Sequence, residues 1–71
     1  MGTNEKPTYH LTPNKRRGGW DIRKEGSSKA VRHYTYKIEA LGRARRLSKS
    51  KHANLVIHKS DGQIQRGYSY R

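Results

Sequence analysis

The apolar residues of this chain change their spacing along its length, and that change limits the folds open to it. In "TYHLT", Tyr9 and Leu11 point one way while Thr8, His10 and Thr12 point the other. Such alternation marks a half-buried strand. Pro13 stops it, because proline cannot donate to a sheet ladder. In "WDIRKEG", Trp20 and Ile22 turn inward and Asp21 and Arg23 outward, which makes a second strand. From Tyr36 the period becomes helical. At about 100° per residue, Tyr36, Ala40, Leu41, Ala44 and Leu47 fall within an arc of roughly 140°. Ile38 lies off that stripe and is expected to cover an edge of the sheet. In "NLVIHKSDGQIQRGYSYR" the alternation returns, with Leu55, Ile57, Ile64 and Tyr68 on one face.

The residues between these runs divide them. "PNKRRGG" reads as a hairpin loop, and Gly26 with the polar "SSK" closes the second strand. Ala30–Tyr34 fits either a further strand or a crossover to the helix. Thr35 is an acceptable helix cap, and Glu39 puts negative charge near the positive end of the helix dipole. Asp61-Gly62 is the strongest hairpin signal in the chain, and a two-residue type I′ turn there sets Lys59 opposite Ile64. The order is then strand, strand, helix, strand, strand. Two hairpins make one antiparallel sheet with the helix packed on one face, a single small α+β domain over residues 8–71 behind a flexible tail, residues 1–7. Its expected core is Tyr9, Leu11, Trp20, Ile22, Ala40, Leu41, Ala44, Leu47, Leu55, Ile57 and Ile64.

A chain of 71 residues holds one domain. It has no cysteine, which excludes disulfides, thiolate metal sites and a cysteine nucleophile. A secreted domain of this size usually needs such staples, so a cytoplasmic location is expected. The opening "MGTNEKPTYH" lacks the apolar segment of a secretory signal. No apolar run approaches the ~20 residues of a membrane span. Seventeen Lys and Arg against five Asp and Glu give a formal net charge of +12, a field that attracts polyanions.

Several stretches resemble a known family. "TYHLTPN", "GGWDIRKEGSSKA", "KIEALGRAR", "LVIHKSDGQIQ" and the closing "SY" are similar to DUF2188, a family of small bacterial and phage proteins of unknown function. The similarity runs from Thr8 to Tyr70. Its most specific parts are Gly19-Trp20 with Lys24-Glu25-Gly26, and Leu55-Val56-Ile57-His58 with Asp61-Gly62-Gln63-Ile64-Gln65. Family members open the helix with Thr-Lys-x-Glu-Ala. Here Lys37, Glu39 and Ala40 match but Tyr36 stands in place of the capping threonine, so either Thr35 caps instead or that end is weaker. The resemblance implies no activity, cofactor or catalytic residue.

Catalysis is not expected. The carboxylates of the folded region are Asp21, Glu25, Glu39 and Asp61, and a general-acid pair needs a pocket to tune it. No metal and no cofactor are expected either, since His10, His33, His52 and His58 show no i,i+4 pair on a helix and no thiolate accompanies them. His58 reads as a cross-strand polar residue. Trp20 shares the phase of Ile22 and belongs to the core rather than to a base-stacking platform.

The stretch "ALGRARRLSKSKH" is the most suggestive. Arg43, Arg45, Arg46 and Lys49 fall away from the apolar stripe. Arg45 and Lys49 stand one turn apart with no acid nearby, and like charges at that spacing repel. Lys15, Arg16 and Arg17 form a second cluster at a hairpin tip. A small, non-enzymatic accessory protein is therefore expected, one that binds DNA or RNA through backbone phosphates with low sequence specificity. The alternative is a protein-interaction module whose basic face docks an acidic protein. No small-molecule substrate is expected.

Overall fold

The computed structural model describes residues 7–27 and 29–70. The expected tail, residues 1–7, lies outside them apart from Pro7. The elements are β1 (Thr8–Pro13), β2 (Trp20–Lys24), β3 (Ala30–Tyr34), α1 (Lys37–Ser50), β4 (Asn54–His58) and β5 (Ile64–Ser69). The α+β layer is as expected, and the segment Ala30–Tyr34 is a third strand.

The five strands stand in the order β3-β2-β1-β4-β5. β1 with β2, β2 with β3, and β4 with β5 are antiparallel, whereas β1 and β4 are parallel. The sheet is therefore mixed rather than antiparallel throughout. Tight turns reverse the chain between hairpin strands, but α1 carries it back along the sheet before β4 begins. β4 thus runs in the same direction as β3 and β1, as a helical crossover requires.

One face of the sheet carries the core. Tyr9, Leu11, Ile22, Leu55 and Ile57 are buried there against Ala40 and Ala44 of α1, with Ala53 just beyond the helix. The buried helix line is Ala40, Ala44 and Ser48, one residue per turn. Small side chains at these positions let the helix approach the sheet closely. Leu41 and Leu47 are only half-buried, because they flank that line rather than lie on it. Trp20 is also half-buried; its ring packs on the core and lies under Lys37 Nζ, 4.6 Å from the centroid.

Other expectations are corrected. Tyr36 is exposed at the N-cap and makes no side-chain cap bond, so neither it nor Thr35 closes that end. Ile38 is 81% exposed and covers no sheet edge. The helix ends on His52 at φ 52°, with His52 N–H donating to the Lys49 carbonyl and Ala53 N–H to the Ser48 carbonyl. That is a Schellman ending with histidine in the place glycine usually takes.

Ile64 is 65% exposed, and the β4–β5 turn explains why. Gly62 N–H donates to the Lys59 carbonyl at 2.9 Å, so the turn centres on Ser60 and Asp61, with Gly62 at φ 91° after it. Asp61 is not at positive φ, so the turn is not type I′. The loop is one residue longer than expected. Lys59 meets Gln63, and Ile64 pairs with His58 on the face away from α1. A bulge then restores the register, and Arg66 opposes Ile57 while Tyr68 opposes Leu55.

Two glycines separate backbone strain from steric conflict. Gly19 sits at φ 78°, and a Cβ there would lie 2.4 Å from the Tyr34 carbonyl oxygen; Gly62, at φ 91°, has open space around it. Gly62→Ala is expected to cost about 1–2 kcal/mol from the left-handed backbone alone. Gly19→Ala carries the same strain plus a clash worth about 1–3 kcal/mol more. Thermal melts of the two variants measure the difference, and equal melting temperatures would contradict the close packing of the first hairpin loop on β3.

Candidate nucleic-acid interface

Arg43, Arg45, Arg46 and Lys49 are all exposed on α1, off its buried line. The buried line Ala40-Ala44-Ser48 fixes their direction, because at about 100° per residue the basic positions fall on the remaining arc. Strand residues then divide them between the two shoulders of the helix.

On the β3 side, Arg43 and Arg46 join Arg32 around an open groove of about 480 Å³, whose apolar wall is Val31 and Leu47. Arg43 Nε donates to the Tyr34 hydroxyl at 3.2 Å. On the β5 side, Arg45 Nη2 and Arg66 Nη1 each donate to the Tyr68 hydroxyl at 3.2 Å. Their guanidiniums also lie 5.2 and 5.9 Å from the Tyr68 ring centroid, within the range of cation–π attraction. Tyr70 stacks on Tyr68 with centroids 6.1 Å apart. These tyrosines limit the rotamers of long cationic side chains. Their guanidinium donors are thereby partly ordered before any anion arrives.

The first loop is built separately. Asn14 Oδ1 accepts from the amides of Arg16 and Arg17 at 3.0 and 2.9 Å, and Gly18 N–H donates to the Asn14 carbonyl at 2.9 Å. This ordered turn leaves Lys15, Arg16 and Arg17 exposed. Lys15 Nζ donates to the Ser60 carbonyl of the second hairpin turn at 2.5 Å. The loop lies at the end of the sheet where α1 begins, since Lys37 covers Trp20 there. At ~1.5 Å per residue, Lys49 is about 18 Å further along the helix axis. The two expected clusters therefore form separate patches. Arg32 and Arg66 were not expected in the helix patch, because no local spacing announces that β3 and β5 deliver them to the helix shoulders.

The carboxylates sit elsewhere. Asp21 is buried on the face away from α1, with Oδ1 2.7 Å from His33 Nδ1 and Oδ2 accepting from Asn14 Nδ2 at 3.0 Å. Glu25 follows β2 and meets His10 at 2.9 Å. The two acids thus have separate partners rather than forming a pair. Glu39 is the one carboxylate on α1.

The family model described as "Uncharacterized protein conserved in bacteria (DUF2188)" matches residues 9–70. No curated protein and no solved structure matches the chain.

The hydrogen bond from Arg66, and next that from Arg45, stabilises the Tyr68 phenolate and holds its pKa below the ordinary tyrosine value. A depressed pKa contributes stability above the unfolded value, and that contribution disappears as pH falls through the folded one. The bond to phenolate therefore stabilises the fold fully only above the ordinary tyrosine pKa. A titration of the Tyr68 ring signals should show ionisation below the usual range. Arg66→Gln should move it back up, and Arg45→Gln should do so by less. An unshifted Tyr68 in the parent would contradict the two-arginine geometry.

Proposed function

The chain belongs to DUF2188, a family of uncharacterised bacterial proteins, and we propose that this member is a small, non-enzymatic, cytoplasmic accessory protein that binds nucleic acid. The contacts run through backbone phosphates, and such contacts carry little sequence information. The observation that supports this reading is the continuity of cations across α1 and both its shoulders. Arg32, Arg43, Arg46, Lys49, Arg45 and Arg66 follow one another with Glu39 as the one acid of the helix. Arginine forks also match phosphate oxygens in geometry, which lysine does not. Among the described residues no helix is long and apolar enough to cross a membrane.

Salt dependence tests the reading. Each phosphate neutralised on duplex DNA contributes about −0.9 to the log–log slope of affinity against salt. Changing Arg43, Arg45, Arg46 and Lys49 to Gln should flatten that slope by up to about 3.6 and leave the fold intact. Changing Lys15, Arg16 and Arg17 instead should have a smaller effect, because that patch stands apart. Fluorescence anisotropy with generic duplex DNA and single-stranded RNA reads both variants. A parent that binds neither at low salt overturns the proposal and leaves docking of an acidic protein as the use of this face.

A further inference from the structure

The face of the sheet away from α1 holds a pair of histidines in contact. The parallel register sets His10 opposite Val56, so His58, two residues on, falls beside His10 on the same face. His10 Nδ1 lies 3.1 Å from His58 Nε2, with ring centroids 5.3 Å apart. The outer nitrogens are both engaged. His10 Nε2 is 2.9 Å from Glu25 Oε1, and His58 Nδ1 is 3.0 Å from the Gly62 carbonyl oxygen.

These contacts assign the protons. A carbonyl oxygen only accepts, so His58 Nδ1 carries hydrogen and Nε2 presents a lone pair. An ionised Glu25 also only accepts, so His10 Nε2 carries hydrogen. With both rings neutral, two bare lone pairs would face each other across the 3.1 Å gap. A cation between them removes the conflict. An extra proton on His10 Nδ1, donated to His58, is one such cation.

A metal ion is the other. Imidazole nitrogens bind Zn²⁺ at ~2.0–2.1 Å, so two of them on one ion stand roughly 2.9 Å apart at a right angle and roughly 3.4 Å apart at a tetrahedral one. The observed separation falls between these limits. A carboxylate or a backbone carbonyl on the far N–H is also what orients metal-binding histidines. We propose that His10 and His58 form a two-histidine site for a divalent transition-metal ion that favours imidazole, with Glu25 and the Gly62 carbonyl fixing the rings. Among the described residues no cluster of three or more histidine and carboxylate groups is poised to hold a metal, so water fills the remaining positions. Asp21 and His33 are committed to each other at 2.7 Å, and Arg23, the partner of His10 in β2, reaches 3.7 Å from Asp21. Starting from the protonated pair, binding forms two metal–nitrogen bonds and releases one proton to solvent. This site lies on the opposite face from the arginines, and its test is independent of nucleic acid.

The test is titration of ZnCl₂ into the full chain, followed by calorimetry in two buffers of different ionisation enthalpy and by NMR of the histidine rings. One ion should bind per chain and release up to one proton. The ring signals of His10 and His58 should shift while those of His33 and His52 stay. His58→Gln should abolish binding, and His33→Gln should leave it unchanged. Glu25→Gln should weaken it by about 10–100-fold, since only the orientation of His10 is lost. Circular dichroism melts check that each variant is folded; should His58→Gln unfold, the ring signals of the parent decide alone. An absence of ring shifts in the parent, or undiminished binding in folded His58→Gln, overturns the proposal.

Discussion

The parallel pairing of β1 with β4 is the constraint on which the rest of the molecule depends. It joins the β1–β2–β3 meander to the β4–β5 hairpin and makes one sheet of two antiparallel units. It sets Tyr9 beside Leu55 and Leu11 beside Ile57, so that α1 finds one continuous apolar floor. A slip of one residue would turn the apolar pair of one strand to the other face, which is why the register is so strongly specified. The same pairing aligns Thr8 with Asn54 and His10 with Val56 on the opposite face, and so brings two histidines 48 positions apart into contact.

Charge is divided between the two faces of the layer. Asp21 and Glu25 are engaged by His33 and His10 on the side away from the helix. On the helix side the arginines therefore meet little opposing charge, and their partners are tyrosine hydroxyls and rings. A phenol hydroxyl orients a guanidinium without neutralising it. The cations remain ordered yet available, which is the condition for attracting an anion from solution. The cost is self-repulsion, which the small domain must absorb through its core.

Much of this was legible in the sequence. Alternation in "TYHLT" and "WDIRK" and the helical period from Ala40 to Leu47 identified three elements, and the basic face of α1 followed from the last. What escaped depended on non-local packing. β3 lies at the sheet edge, its first three residues all exposed, so it shows no apolar alternation. The direction of β4 is set by the helical crossover rather than by its own residues. Ile64 left the core because Gly62 alone took the left-handed backbone, which lengthened the loop and moved the bulge into β5. Ser48 was missed because a small polar residue carries no apolar signal, although close helix–sheet packing favours its size. Arg32, Arg66 and the His10–His58 contact share one cause: strands distant in sequence deliver them to a common place.

Under the proposed function the two faces do different work, and the helix side meets nucleic acid. Mapping backbone amide shifts by NMR while a short generic DNA duplex is added tests it most directly. The account predicts that the largest changes fall on Arg32, Arg43, Arg45, Arg46, Lys49 and Arg66, with His10, His33 and His58 little affected. Changes centred on those histidines, or no changes at low salt, would contradict it.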